Sequence, residues 1–296
     1  MADLPTPDAR ASAELRRSER SARTRGRLSQ GALYLVVGAF VLLTFVPLVI
    51  MFTMSVRNNG QIYSNFWGLP DPWLPGNYAD SYRKIFHYAV NTTLDALAAV
   101  VLTVLLSSLS GYVFARQRFP GKEVLFILIL GLLAIPGILT LTPTFVLVHQ
   151  IGLANTPYAL ILPWAAGGQV LGIFLCRSFI AGLPQELFEA ARIDGATEWQ
   201  LWYRLAVPLC WPILMTVAIL TMVADYNDFI WPLLIIGDDS KQVISVGLYQ
   251  FTGSHGITDY GPLMAACAIS AVPLLVLFLF GMKYFIAGIT SGAVKA

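Results

Sequence analysis

Residues 31–56 carry no charged side chain, and five further uncharged, apolar runs follow at 96–115, 124–148, 158–176, 205–224 and 260–282. A bilayer core about 30 Å thick is crossed by about 20 residues of helix, so each run is long enough to span it or nearly so. The runs are continuously apolar. A transmembrane barrel would instead alternate polarity over segments of about 10 residues. The predicted fold class is therefore all-α, a polytopic membrane protein with six transmembrane helices. Charged residues make up 12% of the chain, about half the usual share of a water-soluble domain. The first run is too long for a signal-peptide core and no small-residue cleavage site follows it, so it is expected to be retained. Pro136, Pro143 and Pro212 fall within runs, where neighbouring helices can satisfy freed backbone groups, and kinks rather than breaks are expected.

Orientation follows from where Lys and Arg lie. With six spans both termini share one side. That side holds seven arginines between Arg10 and Arg27, then Arg116, Arg118, Lys122, Arg177, Arg192, Arg204, Lys283 and Lys295. The opposite side holds Arg57, Arg83, Lys84 and Lys241. Both termini are thus expected in the cytosol. Residues 1–30 mix arginines with Asp3, Asp8, Glu14 and Glu19 and lack an apolar face, which predicts a disordered tail that sets topology and meets anionic lipid. Residues 31–56 are the first span and 57–90 an external segment rich in Trp, Tyr, Pro and Gly, whose aromatics suit interfacial anchoring or a ligand. Residues 91–286 form the transmembrane core, with a cytosolic loop at 184–204, and 287–296 the cytosolic C-terminus.

Several function classes drop out. A net charge of +2 gives no field for nucleic acid. No phosphate-cradling G-x-x-x-x-G-K-[ST] run occurs, nor H-E-x-x-H, G-x-S-x-G or G-x-G-x-x-G, so no enzymatic site and no metal or cofactor on this chain is expected. His87, His149 and His255 are scattered. Cys176, Cys210 and Cys267 are isolated and expected as small buried hydrophobes.

The cytosolic loop after the fourth run does not have the composition of a loop. Pro184 suits a first helical turn, Glu186 and Glu189 lie where the helix dipole favours carboxylates, and Gly195 can take the left-handed conformation that closes a helix. Thr197 and Gln200 have the spacing of a capping box for a second helix. Leu187, Ala190 and Ala191 form a narrow apolar stripe that must be buried against the chain's own membrane domain or a partner.

The stretch from Glu189-Ala190-Ala191 through Arg192, Ile193 and Asp194 to Gly195, with Val207-Pro208 after it, resembles the EAA motif of binding-protein-dependent ABC importer permeases. The spacing to Gly195 and to Leu205-x-Val207-Pro208 matches, with Leu and Val where the family has Ile and Leu. Asn91-Thr92, Phe114-Ala115-Arg116, Arg118 to Gly121, Asn227-Asp228-Phe229 and the ending from Gly288 to Lys295 resemble the MalG-type carbohydrate permeases. The resemblance implies a type I ABC importer permease fold in the bacterial inner membrane and sugar as cargo. It also implies a second, MalF-like permease, two cytosolic ATPases that carry ATP and Mg, and an extracytoplasmic solute-binding protein. In that family the loop is a coupling helix seated on the ATPase. Carried over, Glu189, Ala190, Ala191, Asp194 and Gly195 make the joint.

The fifth run continues past Ala224 through Asp225, Tyr226, Asn227 and Asp228, which predicts one helix from Pro212 to Ile236 with two acids inside the membrane. Intramembrane acids cost about 2.5–3.5 kcal/mol each and face a cavity or a partner. Asp225, Tyr226, Asn227, Asp228 and Trp231 are therefore candidates for the translocation pathway. Other readings stay open: the acids mark a broken helix, pair with the second permease, or serve an ion-coupled secondary transporter.

Overall fold

The computed structural model describes residues 7–252 and 258–293. Thirteen α-helices run along them: α1 (Pro7–Ser55), α2 (Asn59–Ser64), α3 (Gly76–Arg116), α4 (Lys122–Gly131), α5 (Gly137–Gln150), α6 (Tyr158–Ala181), α7 (Gln185–Ile193), α8 (Glu198–Gln200), α9 (Val207–Leu209), α10 (Trp211–Tyr226), α11 (Ile230–Ile235), α12 (Ile244–Tyr249) and α13 (Tyr260–Ala293). A wider π turn, Leu201–Ala206, joins α8 to α9. Among the described residues four helices are long and apolar enough to cross a membrane, and six crossings result if each of two bent pairs is one span. His255, residues 1–6 of the tail, and Val294 and Lys295 of the ending motif lie outside the described residues.

The fold is built on α3. At 41 residues and about 1.5 Å per residue it is about twice as long as the bilayer core is thick, and α6, α10, α12 and α13 all pack on it. Its most extensive contact is with α6, where small residues meet small residues. A Cβ placed on Gly111 would lie 2.5 Å from Cys176 Cβ, and one on Gly168 2.8 Å from Thr103 Cγ2. A Cβ on Gly172 would collide with the Ser107 side chain. Gly168 and Gly172 are one helical turn apart, the small-xxx-small spacing by which helices in lipid bring backbones together. The seam carries polar bridges as well: Ser107 Oγ donates to Gln169 Oε1 at 3.1 Å, and Thr103 Oγ1 donates to the Ala165 carbonyl at 3.4 Å. One buried cluster gathers around Tyr88, Trp164, Tyr226 and Ile244, and a second around Tyr112, Cys176, Phe188 and Trp202. By contrast, no residue in the apolar window of α1 is buried within the chain, and α1 touches mainly α13.

The structure departs from sequence expectation in four places. The third run breaks instead of kinking: α4 and α5 meet at 101°. Pro136 pushes the residue before it out of helical geometry, and Ile135 is extended at φ −84° and ψ 116°. Pro143 sits inside α5 without breaking it.

The single helix expected from Pro212 to Ile236 is two. Helix α10 ends at Tyr226 and α11 restarts at Ile230. Pro232 has no N–H for the Asp228 carbonyl, so the hydroxyl of Ser245 donates to it at 2.6 Å. Asn227 and Asp228 reinforce the break. Asn227 Nδ2 donates to the Val223 carbonyl at 2.7 Å, and Asp228 Oδ1 accepts from the Trp231 N–H at 3.4 Å.

The tail expected to be disordered is helical from Pro7, continuous with the first span. Its Ala, Arg and Glu are good helix formers, and the span removes the cost of nucleation. Finally, residues 76–90 of the expected external segment are helical, the first part of α3. Its anchor is Arg57, 1% exposed, which donates to the carbonyls of Phe66 at 3.0 Å and of Gln61 and Asn65.

If the glycine seam sets the spacing of α3 and α6, Gly111→Val destabilises the protein by about 1–3 kcal/mol or more through overpacking. Gly167→Ala, whose added methyl meets nothing within 4 Å, is neutral or gains about 0.5–1 kcal/mol. Thermal unfolding of the detergent-solubilised variants measures both.

Candidate functional site

Two places gather the sequence candidates: the corner around α7 and a cleft between α6 and α10. At the corner, Pro184 precedes α7 and Glu186 stands in its first turn. Gly195 takes φ +84°. Its N–H donates to the Arg192 carbonyl at 3.0 Å while that of Ala196 reaches the Ala191 carbonyl at 2.9 Å, the paired closure of a Schellman motif. Thr197 opens the next helix with a complete capping box. Gln200 N–H donates to Thr197 Oγ1 at 3.3 Å and Thr197 N–H to Gln200 Oε1 at 2.9 Å. Three consecutive local motifs thus define the turn.

Of the two surfaces left open for the Leu187/Ala190/Ala191 stripe, the chain's own domain takes only Ala191, and the anchor of α7 is Phe188. It is fully buried, with the Arg116 guanidinium 4.2 Å over its ring and Tyr112 alongside. Ala191 packs on the same cluster. Leu187 (44% exposed), Ala190 and Ile193 (86%) face outward, with Trp199 of α8 (58%). Glu189 is also on the outside, accepting from Gln185 Nε2 at 2.5 Å, and Asp194 is exposed. Arg192 donates to Glu198 at 3.0 Å, and that hydrogen bond raises the pKa of the Arg192 guanidinium.

The cleft has a volume of about 430 Å³. Pro163, Trp164, Gly167 and Leu171 of α6 line one side, and Leu220, Thr221, Asp225 and Asp228 the other. Asp225 is 6% exposed, and its Oδ2 has no hydrogen-bond partner within the described chain. Asp228 Oδ2 accepts from Trp164 Nε1 at 2.7 Å. The structure therefore brings two of the five pathway candidates together. Tyr226 and Trp231 turn into the core instead. Tyr226 Oη donates to the Ser270 carbonyl at 3.0 Å and Trp231 Nε1 to the Ala159 carbonyl at 2.9 Å. Asn227 is spent on the end of α10. The rotation introduced by the helix break separates residues that one continuous helix would have kept on related faces.

On the opposite end, the segment after α11 is tied to α3 and to the loop before α6. Tyr88 Oη and Gln250 Nε2 both donate to Asp239 Oδ1 at 2.6 Å, and these bonds hold the Asp239 carboxyl below the usual carboxylate range. Asn155 Oδ1 accepts from the N–H of Gly237 and of Asp238. Among the described residues no group of three or more His, Cys, Asp or Glu gathers as a metal site would require.

The sequence profile of the family described as binding-protein-dependent transport system inner membrane component matches residues 104–291, from the middle of α3 to the end of α13. The chain belongs to this family. A probable ABC transporter permease protein of Bacillus subtilis, YurM, is 36% identical over 264 residues, covering 89% of this chain and 86% of that one. The trehalose/maltose transport system permease protein MalG of Thermococcus litoralis is 35% identical over 208 residues, 70% of this chain and 75% of its own. A solved bacterial ABC transporter involved in the import of the acidic polysaccharide alginate contains a chain that superposes with a TM-score of 0.75. The match covers 96% of this permease and 100% of that chain at 18% identity, a likeness of fold. The chain is therefore a multi-pass permease subunit of the ABC type and not itself an enzyme, and these likenesses do not favour the ion-coupled reading of Asp225 and Asp228.

Sequence reasoning missed Phe188, Trp164 and Glu198. Phe188 lies one position off the apolar stripe, and only its partners on α3 decide which side of α7 is inward. Trp164 sits within an apolar run whose composition distinguishes no face. Truncation of the anchor, Phe188→Ala, removes the ring from between Tyr112 and Arg116. A cost of about 3–5 kcal/mol to local packing is expected, read as faster proteolysis at Arg192 and a lower melting temperature.

Proposed function

We propose that this permease is one of two membrane subunits of an ATP-driven sugar importer. In this reading α7 is the joint through which cytosolic ATPases drive the membrane helices, and the Asp225/Asp228 cleft is part of the path for cargo. Sugar as cargo is supported by the trehalose/maltose transport system to which its relative MalG belongs. Binding-protein dependence of the family supports delivery by an extracytoplasmic solute-binding protein. A second, MalF-like permease would complete the pathway.

The observation that carries the reading is the outward face of α7. Leu187, Ala190 and Ile193 project from a helix fixed on its other side by Phe188, at a corner with Glu189 and Asp194 around it. A short rigid helix with exposed apolar side chains and a carboxylate is suited to a groove on another protein, where burial and charge-assisted hydrogen bonds both contribute. ATP-driven closure biases a two-state membrane domain only if its contacts differ between the states, and α7 supplies such a contact. The excess of Lys and Arg on the α7 side supports a cytosolic position for this joint and for both termini. In the cleft, a carboxylate oxygen without a donor is ready to accept from a sugar hydroxyl or from a polar group of the second permease.

The test is uptake into proteoliposomes that hold both permeases and the ATPases, with the binding protein outside. Uptake should require ATP and the binding protein. Glu189→Lys, and Gly195→Pro, which cannot adopt φ +84°, should each lower uptake by roughly tenfold or more while leaving membrane insertion intact. Full transport by both variants would refute the coupling assignment. Asp225→Leu should reduce uptake with ATPase binding unchanged. Wild-type uptake by that variant would remove the cleft from the pathway.

A further inference from the structure

Helix α7 joins its neighbours through two short turns, 182–184 before it and 194–197 after it. Those turns alone would let it swing as a separate flap, and a push on it would be lost in the turns. The structure holds it by side chains. Glu198, the first residue of α8, accepts from three directions: Arg192 Nε at 3.0 Å from the last turn of α7, Tyr112 Oη at 2.6 Å from α3, and Gln117 Nε2 at the end of α3.

Arg116 makes the adjoining link. It lies one turn beyond Tyr112 on the same face of α3. Its NH2 donates to the carbonyls of Ile180 and Leu183 at 2.7 Å each, capping the end of α6, while its guanidinium covers Phe188 of α7. Capping those carbonyls also places a cation at the negative end of the α6 dipole. Because α3 and α6 are already locked by the glycine seam, whatever is fixed to Tyr112 and Arg116 moves with both.

We propose that Glu198 is a positioning residue, a strut that fixes α7 to the cytosolic ends of α3 and α6 so that the three helices move as one body. The proposal rests on the coupling role assigned above to α7, and it assigns the route by which motion leaves it. The route is not the continuous chain from Gly195 into α10, which bends by 77° between Leu209 and Trp211. It crosses directly from α7 to α3 through a carboxylate, a hydroxyl and a buried ring.

Spin labels at Glu186→Cys in the first turn of α7, away from the docking face, and Leu105→Cys on the exposed side of α3 test it, with the native cysteines replaced by alanine and the chain in its complete complex. Distances are measured without nucleotide and after trapping with ATP and vanadate. The expected result is one distance, unchanged between the two states. With Tyr112→Phe, which removes only a hydroxyl, or Glu198→Gln, trapping should produce a second, shifted population. The double variant should shift no further than the singles, because both cut the same link. The strut is overturned if the parent distance already changes on trapping, or if both variants keep the parent distance in both states. It is also overturned if Glu198→Gln releases the ATPase, since the residue would then shape the docking surface. The underlying coupling reading has a separate arm. Leu187→Asp should reduce copurification of the ATPase at least about tenfold, and undiminished copurification overturns that reading whatever the distances show.

Discussion

The approach of α3 to α6 is the constraint on which the remaining architecture depends. In lipid there is no hydrophobic force to drive one apolar helix onto another, so association rests on close packing and on hydrogen bonds between backbones and small polar side chains. Gly111, Gly168 and Gly172 provide the closeness, and Thr103, Ser107 and Gln169 provide the polar contacts. Once these two helices form a single body, the side chains that project from it have fixed positions. Trp164 stands at one edge of the cleft, Tyr88 meets the segment after α11, and Tyr112 and Arg116 reach the corner at α7.

Interruptions of helix are tolerated in a bundle where freed backbone groups find side chains. The break at Asn227–Phe229 is the clearest instance. A proline withdraws one donor, the Ser245 hydroxyl replaces it, and the Asp228 carboxylate serves both the restarting helix and the Trp164 indole. The same break has a geometric consequence. It swings Trp231 away from the cleft and into the core, so that Asp225 and Asp228 remain without the aromatic residues that neighbour them in sequence. A device that satisfies backbone chemistry thereby decides which side chains border the cleft.

What was legible in the sequence follows from how local each feature is. The Schellman closure at Gly195 and the capping box at Thr197 involve residues within six positions of one another, and their chemistry is written in residue type and spacing alone. Membrane crossings were legible for a similar reason, because a run of apolar residues needs no knowledge of its neighbours. The break at Pro136 lay partly in reach, since proline constrains the residue before it. Phe188 and the seating of Tyr226 lay beyond reach, because which face of a short helix turns inward depends on partners 44 to 76 positions away, here Ser270 and Tyr112. Asp95 shows the limit of reading by runs: the second uncharged run starts at residue 96, yet α3 carries Asp95, 8% exposed, well inside the helix.

Three surfaces of the single chain make different demands on what lies against them. The apolar face of α1 is fully met by acyl chains, which are as apolar as its side chains. Asp225 is not, because hydrocarbon offers no donor to its Oδ2 and an unpaired carboxylate there costs several kcal/mol. The region around Asp225 therefore faces something polar, whether water, another subunit or cargo. The outer residues of α7 make the opposite demand: Leu187 and Ile193 stand exposed on a helix whose other face is anchored, beside the charged Glu189 and Asp194, and water is a poor neighbour for them. A folded partner with an apolar groove meets that demand. In the reading proposed for this permease, a polar cleft beside α6 and an apolar joint fixed to α3 are the physical requirements for transmitting a cytosolic push to a passage through the membrane.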